Sequence, residues 1–147
     1  MIRQIILPIL KALPSQTVYA HCDIPCGIYT SEPAKTAAKT VARMVELIGG
    51  LPADNPSVEE RAKLIRCVMV KEEHAQICKK ELLILWTDYF KPEHLEIFPD
   101  LHEKFWKAAK LCSENKQHIN KETAQKLVEA VDDIAAMFDK TKQAAKK

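Results

Sequence analysis

The chain has 147 residues, of which 47% are hydrophobic and 29% charged, and its formal net charge is +2. This length suits a single domain, and the balance of apolar and charged residues is typical of globular rather than disordered proteins. The near-neutral charge argues against a nucleic-acid partner, and no segment approaches the ~20 apolar residues of a membrane span. With three glycines, the chain contains neither of the glycine-rich phosphate-binding motifs.

The first twenty residues, MIRQIILPILKALPSQTVYA, differ from the rest. They contain Arg3 and Lys11 but no acid, so they hold the whole excess of positive charge. An apolar run over 5–10 and a small residue, Ala20, resemble a secretory signal peptide, although the run is shorter than the usual ~7–15 residues. We predict that residues 1–20 are a leader removed on maturation, either as an export signal or as a cytoplasmic pro-segment.

Beyond an irregular segment, apolar residues recur at helical spacing. They predict a first helix over about Pro33–Ile48, which a pair of glycines ends. Ser57 and Glu60 have the spacing of a capping box and begin the second helix. Because no glycine or proline follows until Pro92, this helix is predicted to continue to that point, with Lys71 as an unexplained polar residue in its apolar stripe.

Two more helices complete the pattern. The third is predicted over about Pro99–Ser113, and Asn120 caps the fourth, whose apolar repeat ends at Phe138. Four amphipathic helices with short connections predict an all-α fold, an antiparallel four-helix bundle over residues 33–140. The lysine-rich end, KTKQAAKK, is predicted to be a frayed, solvated tail. The stretch Leu82–Phe90 is apolar nearly all round the helix, which predicts a subunit interface and therefore an oligomer.

The segment HCDIPCGIY, residues 21–29, has the clearest chemistry. If the chain is cut after Ala20, His21 contributes a free amine and an imidazole, and Cys22 and Cys26 contribute thiolates and an amide nitrogen. Two nitrogens and two sulfurs in a plane suit Ni(II) or Cu(II), whereas zinc prefers a tetrahedron. A local disulfide between the two cysteines is the simpler alternative.

The other cysteines and histidines have ordinary interpretations. Cys67, His74 and Cys78 fall near one face of the second helix, where this spacing suits core or interface packing as well as a metal site. Cys112 is predicted to lie in the core. The remaining histidines are predicted to be surface or structural residues: His94, His102 and His118.

Two segments of the sequence resemble motifs of the nickel superoxide dismutase family. Residues 21–29 fit the family's nickel-hook motif, HCDxPCGxY, and residues 83–102, LILWTDYFKPEHLEIFPDLH, resemble its second signature. The resemblance covers the whole chain. It implies a helical bundle assembled as a homo-hexamer, a peptidase that cuts after Ala20, and a domain over residues 21–147 that dismutates superoxide.

The resemblance also implies roles for single residues. One nickel ion per subunit would be bound by His21, Cys22 and Cys26, with the imidazole as an axial ligand in the oxidised state. The metal would alternate between Ni(III) and Ni(II) while two superoxide anions become dioxygen and hydrogen peroxide. Four further residues are implied at the reaction site: Tyr29 at the open axial face with Asp23 nearby, Tyr89 hydrogen-bonded behind Tyr29, and Lys91 near the mouth.

The chain departs from the family where the axial histidine is oriented. Family members can have an acid on the first helix and an arginine on the second, but residues 33–45 contain no acid and His74 stands near the expected arginine position. Glu32 or Glu46 could substitute. The sequence leaves two functions open: the superoxide dismutase, and a non-catalytic carrier that binds nickel or copper with the same hook. The cytoplasm is the expected location, with secretion as the alternative.

Overall fold

A computed structural model of the chain describes residues 28–144. These residues contain four α-helices and no strand: α1 (Glu32–Gly49), α2 (Val58–Ile84), α3 (Leu101–Gln117) and α4 (Lys121–Ala144). No helix within 28–144 is both long enough and apolar enough to cross a membrane. The leader and the hook, up to residue 27, lie outside the described residues.

The helices form an antiparallel bundle. α1 packs against α2 and α4, and α3 packs against the same two helices, so the four close into a ring. Contacts between α2 and α3 run in opposite directions along the two helices, with Lys79 bonded to Ser113 and Trp86 bonded to His102. The predicted all-α, four-helix architecture is confirmed.

The capping signals work as predicted. The Ser57 hydroxyl accepts from the Glu60 amide at 3.1 Å, while the Glu60 carboxylate accepts from the Ser57 amide at 2.7 Å. At the start of α4, the Asn120 side chain accepts from the Thr123 amide at 2.9 Å. These local bonds satisfy backbone donors that have no partner within the helix, and they set where α2 and α4 begin.

The second helix has nearly its predicted extent, but its last turn is π-helical instead of α-helical. α2 ends at Ile84, and a single π-helical turn, Leu85–Tyr89, and a 3-10 turn, Pro92–Leu95, follow. The Phe90 amide donates to the Leu85 carbonyl at 3.0 Å, five residues back instead of four. This wider turn allows Leu85 and Phe90 both to be buried.

Other helix ends also differ from the prediction. α3 starts at Leu101 instead of Pro99, because Asp100 is the residue that precedes its first turn, and it ends at Gln117 instead of Ser113. At the other end, α4 continues to Ala144, so the first part of the predicted frayed tail is helical. Thr141 in this part is only 3% exposed, and packing against the bundle keeps it ordered.

Apolar stripes from all four helices form the core, as their spacing predicted. The buried apolar residues of the first and last helices are Ala34, Ala37, Ala38, Val41 and Val45 in α1, and Ala124, Leu127, Val131, Ile134, Ala135, Met137 and Phe138 in α4. A single subunit buries the Leu82–Phe90 stretch only in part. Leu82 and Leu85 are buried, whereas Leu83 is 38% exposed.

Lys71, which violated the apolar stripe, has a structural role. It is 1% exposed, and its ammonium donates to the carbonyls of Asn115, Lys116 (3.0 Å) and His118 (3.3 Å). The last carbonyls of a helix accept no hydrogen bond from within the helix, and they lie at the negative end of the helix dipole. Burial lowers the pKa of Lys71 from its ordinary value, and the Glu72 charge opposes this shift. Lys71 thus caps the end of α3 from the neighbouring helix.

Replacing Lys71 should therefore destabilise the fold. Lys71→Met keeps the length of the side chain but leaves buried carbonyls without a donor, so the free energy of unfolding should fall by about 2–3 kcal/mol. Urea denaturation would measure it, with Lys80→Met on the exposed face of α2 as the control. Equal stability of the two variants would contradict the capping role.

Cys78 and Cys112 face one another between α2 and α3, and both are fully buried. The hydrogen bond with Cys112 and burial raise the pKa of the Cys78 thiol far above its ordinary value. Because the thiolate is the reactive form, Cys78 is protected from alkylation and oxidation. The interpretation of Cys78 and Cys112 as core residues is confirmed.

In the folded chain, Cys78 and Cys112 should remain unlabelled by a maleimide while both are labelled rapidly in denaturant. Mass spectrometry of the digested protein would identify the labelled positions. Labelling of either cysteine in the folded chain at the rate seen in denaturant would show that this part of the core opens.

Candidate functional site

The described chain begins at the edge of a cleft. This cleft has a volume of about 380 Å³ and lies between the start of α1 and the end of α2. Its walls include Tyr29 and Pro33 from one side, and Glu81, Leu85 and Asp88 from the other. Since the HCDIPCG segment immediately precedes Ile28, which also lines the cleft, the hook joins the bundle at this point.

The structure brings together two tyrosines that the resemblance placed at the site. Tyr29 is half-buried, and its ring meets the Tyr89 ring edge-on, with 5.7 Å between the ring centroids. The π-helical turn holds Tyr89 against Phe138 of α4 (4.5 Å) and stacks it on His94 (5.9 Å). Tyr89 is therefore fixed by rings on several sides and forms a wall against which Tyr29 rests.

The Tyr89 hydroxyl bonds to an unexpected partner. It lies 2.7 Å from the Thr141 hydroxyl, which itself donates to the Phe138 carbonyl at 2.7 Å. Because threonine has one hydroxyl proton, Tyr89 is the donor to Thr141. The rings of Tyr29 and Tyr89 are in contact, and the hydrogen bond that the resemblance implied between them stays a prediction.

Lys91 follows the π-helical turn and is exposed. Its amide donates to Nδ1 of His94 at 3.1 Å, and so His94, stacked on Tyr89, connects Lys91 to the tyrosine pair. Burial lowers the pKa of His94; the Glu93 carboxylate opposes this shift and the Lys91 charge adds to it. The net lowering favours the neutral imidazole that this bond requires. His94 is thus a structural residue, as predicted.

The remaining predicted site residues, His21, Cys22, Asp23 and Cys26, lie outside residues 28–144. Their chemistry fits nickel, because the ligand set of amine, amide, imidazole and thiolates is the nitrogen and sulfur environment that planar Ni(II) prefers. Within the described part of the chain, no group of three His, Cys, Asp or Glu side chains could hold a metal ion.

The Cys67, His74 and Cys78 stripe belongs to the packing of α2. Both cysteines are buried and His74 is half-buried, with no hydrogen-bond partner at Nδ1 among the described residues. Glu32 and Glu46, the possible substitutes for the missing acid, form ion pairs at 3.0 Å with neighbouring basic residues on α1.

Sequence reasoning missed a contact that the end of α4 makes with the site. Lys142 donates to the Tyr29 carbonyl at 2.6 Å, and its ammonium lies 4.7 Å from the centre of the Phe138 ring. One sequence signal could have shown that this end of the chain is helical and packed. Thr141, which precedes Lys142, follows Phe138 by three positions and so continues the inward-facing repeat of α4 into the predicted tail.

Comparison with known proteins agrees with this architecture. A sequence model of the nickel-containing superoxide dismutases matches residues 16–142. The superoxide dismutase [Ni] of Streptomyces coelicolor is 37% identical over 131 residues, which is 89% of this chain and 95% of that protein. The superoxide dismutase [Ni] of Streptomyces seoulensis is 36% identical over the same shares.

Solved structures give the same result. The native nickel superoxide dismutase structure superimposes with a TM-score of 0.73 at 33% identity, over 84% of this chain and 99% of that one. A structure with nickel ligation corresponding to the oxidized state has a TM-score of 0.71 at 35% identity, over the same shares. Both the sequence and the bundle show that this chain belongs to the family of nickel-containing superoxide dismutases.

Proposed function

We propose that this chain is a nickel-dependent superoxide dismutase, which converts two superoxide anions and two protons into dioxygen and hydrogen peroxide. The observation that carries the proposal is the connection of HCDIPCGIY to a tyrosine pair at one end of the family's bundle. Membership of the family supports the enzyme over a non-catalytic carrier.

We propose His21, Cys22 and Cys26 as the ligands of one nickel ion per subunit. When bound, nickel supplies a one-electron Ni(III)/Ni(II) couple that both accepts an electron from superoxide and returns one to it. Thiolate and amide donors are anionic and stabilise the higher oxidation state. The hook needs the free amine of His21, so a peptidase must cut after Ala20 before the ligand set is complete.

Tyr29, Tyr89, Asp23 and Lys91 are proposed to act around the metal. Tyr29 lines the cleft from which the hook departs, and the Tyr89 ring packs against it and fixes its position. Lys91 adds positive charge near the tyrosines, and such charge raises the encounter rate of a small anion. Asp23 belongs to the hook itself and would lie among these groups.

The orientation of His21 needs a residue other than the family's usual pair. Glu46 lies near the end of α1, about 20 Å along the helix from Glu32 at its start. Glu32 adjoins Tyr29 and the cleft, since its amide bonds to the Thr30 hydroxyl at 3.3 Å. We therefore favour Glu32 over Glu46, and we keep His74 as a second candidate because its Nδ1 atom has no described partner.

Leader removal should switch the activity on. A chain that starts at His21 and is loaded with nickel should dismutate superoxide, whereas the chain that starts at Met1 should not, because its His21 nitrogen is an amide. Pulse radiolysis would measure superoxide decay at matched nickel content. Equal activity of both chains would contradict the amine ligand, and tight nickel binding without turnover in the His21 chain would favour the carrier.

We also propose a homo-hexamer in the cytoplasm. Large apolar side chains remain exposed on one subunit, among them Val58, Ile65 and Met69 on α2 and Trp106 on α3. Spacings of seven and four align the three α2 residues on one helix face. An aligned, exposed apolar face is typical of a protein interface.

Light scattering of the His21 chain should therefore give six times the mass of one chain. The double substitution Ile65→Lys and Met69→Lys should lower this mass, because two charges on that face oppose its burial, whereas the charge reversal Lys63→Glu, at an exposed position of the same helix, should leave it unaltered. A monomeric mass for the unsubstituted chain at micromolar concentration would contradict the hexamer.

A further inference from the structure

We infer that Lys142 is a positioning residue for the dismutation site, acting through the backbone of Tyr29. The inference rests on the proposed function, because Tyr29 is placed beside the metal there. Lys142 belongs to the last described turn of α4, whereas Tyr29 lies three residues before the first residue of α1. The contact therefore joins the end of the bundle to the segment from which the hook departs.

Three features make this contact specific. The Lys142 ammonium donates to the Tyr29 carbonyl at 2.6 Å, a short hydrogen bond in which the donor is charged. The same ammonium lies 4.7 Å from the centre of the Phe138 ring, within the range of a cation–π contact. Lys142 is half-buried, so both contacts are partly shielded from water.

The preceding residue holds the other tyrosine. Thr141 is 3% exposed and accepts from the Tyr89 hydroxyl at 2.7 Å, while its own proton is given to Phe138. Consecutive residues of α4 thus fix the backbone of Tyr29 and the hydroxyl of Tyr89. The edge-on packing of the two rings at 5.7 Å completes a closed set of contacts.

This arrangement has a consequence for the hook. Tyr29 is three residues beyond Cys26, so the position of its carbonyl sets where the metal-binding segment leaves the bundle. Reactive groups held slightly out of place lose much of their rate, even when the altered contact is remote from the chemistry. Lys142 touches neither substrate nor metal in this account and acts only by fixing Tyr29.

Three variants of the nickel-loaded chain starting at His21 test the inference. Lys142→Met keeps the aliphatic stem over Phe138 but removes the donor, and Lys142→Arg restores a cationic donor. Lys140→Met, on an exposed lysine of the same turn, makes the same change in charge. We expect Lys142→Met to lower kcat/KM by about ten- to a hundredfold, Lys142→Arg to recover most of it, and Lys140→Met to leave it unchanged.

Hydrogen exchange of the metal-free chains separates this inference from the proposed function. The peptide covering residues 28–35 should exchange faster in Lys142→Met than in Lys140→Met, with equal melting temperatures for the two variants. If the unsubstituted chain lacks activity, the proposed function fails while this exchange difference still tests the anchor. Equal exchange, equal activity of Lys142→Met and Lys140→Met, or no recovery in Lys142→Arg would each overturn the positioning role.

Discussion

Each of the four α-helices within residues 28–144 has one apolar stripe, and because the connections are short, burying the stripes together makes neighbouring helices antiparallel. That constraint brings the start of α1, the end of α2 and the end of α4 to the same end of the bundle. Tyr29, Tyr89 and Lys142 come from these three places. The candidate site is therefore a product of the topology, and the hook begins where three chain segments already meet.

Polar groups hold the bundle together at positions where apolar packing alone leaves backbone atoms without partners. Lys71 supplies a cation to the free carbonyls at the end of α3, at the opposite end from the tyrosines. At the site end, Thr141 and Lys142 satisfy a phenol and a carbonyl. In both cases a polar or charged side chain from one helix supplies the missing hydrogen-bond partner of a neighbouring segment of the chain.

The sequence was informative wherever a structural feature depends on neighbouring residues. The caps at Ser57 and Asn120 and the spacing of the apolar stripes are local patterns, and they predicted the number and order of the helices. The nine-residue hook is also a local pattern, and it predicted the metal ligands. The Lys71 contacts could not be predicted in this way, because its acceptors lie 44 to 47 residues further along the chain. Lys142 and Tyr29 are 113 residues apart, and only the closed ring of helices brings them together. The π-helical turn was missed because its residues fit an α-helical repeat equally well.

X-ray absorption at the nickel edge of the chain starting at His21, before and after a pulse of superoxide, tests the central claim most directly. The account predicts two sulfur ligands together with nitrogen ligands, and an edge energy that shifts with the pulse because the metal itself exchanges electrons with the substrate. Nickel surrounded by nitrogen and oxygen alone, or an edge that superoxide leaves unchanged, would contradict it.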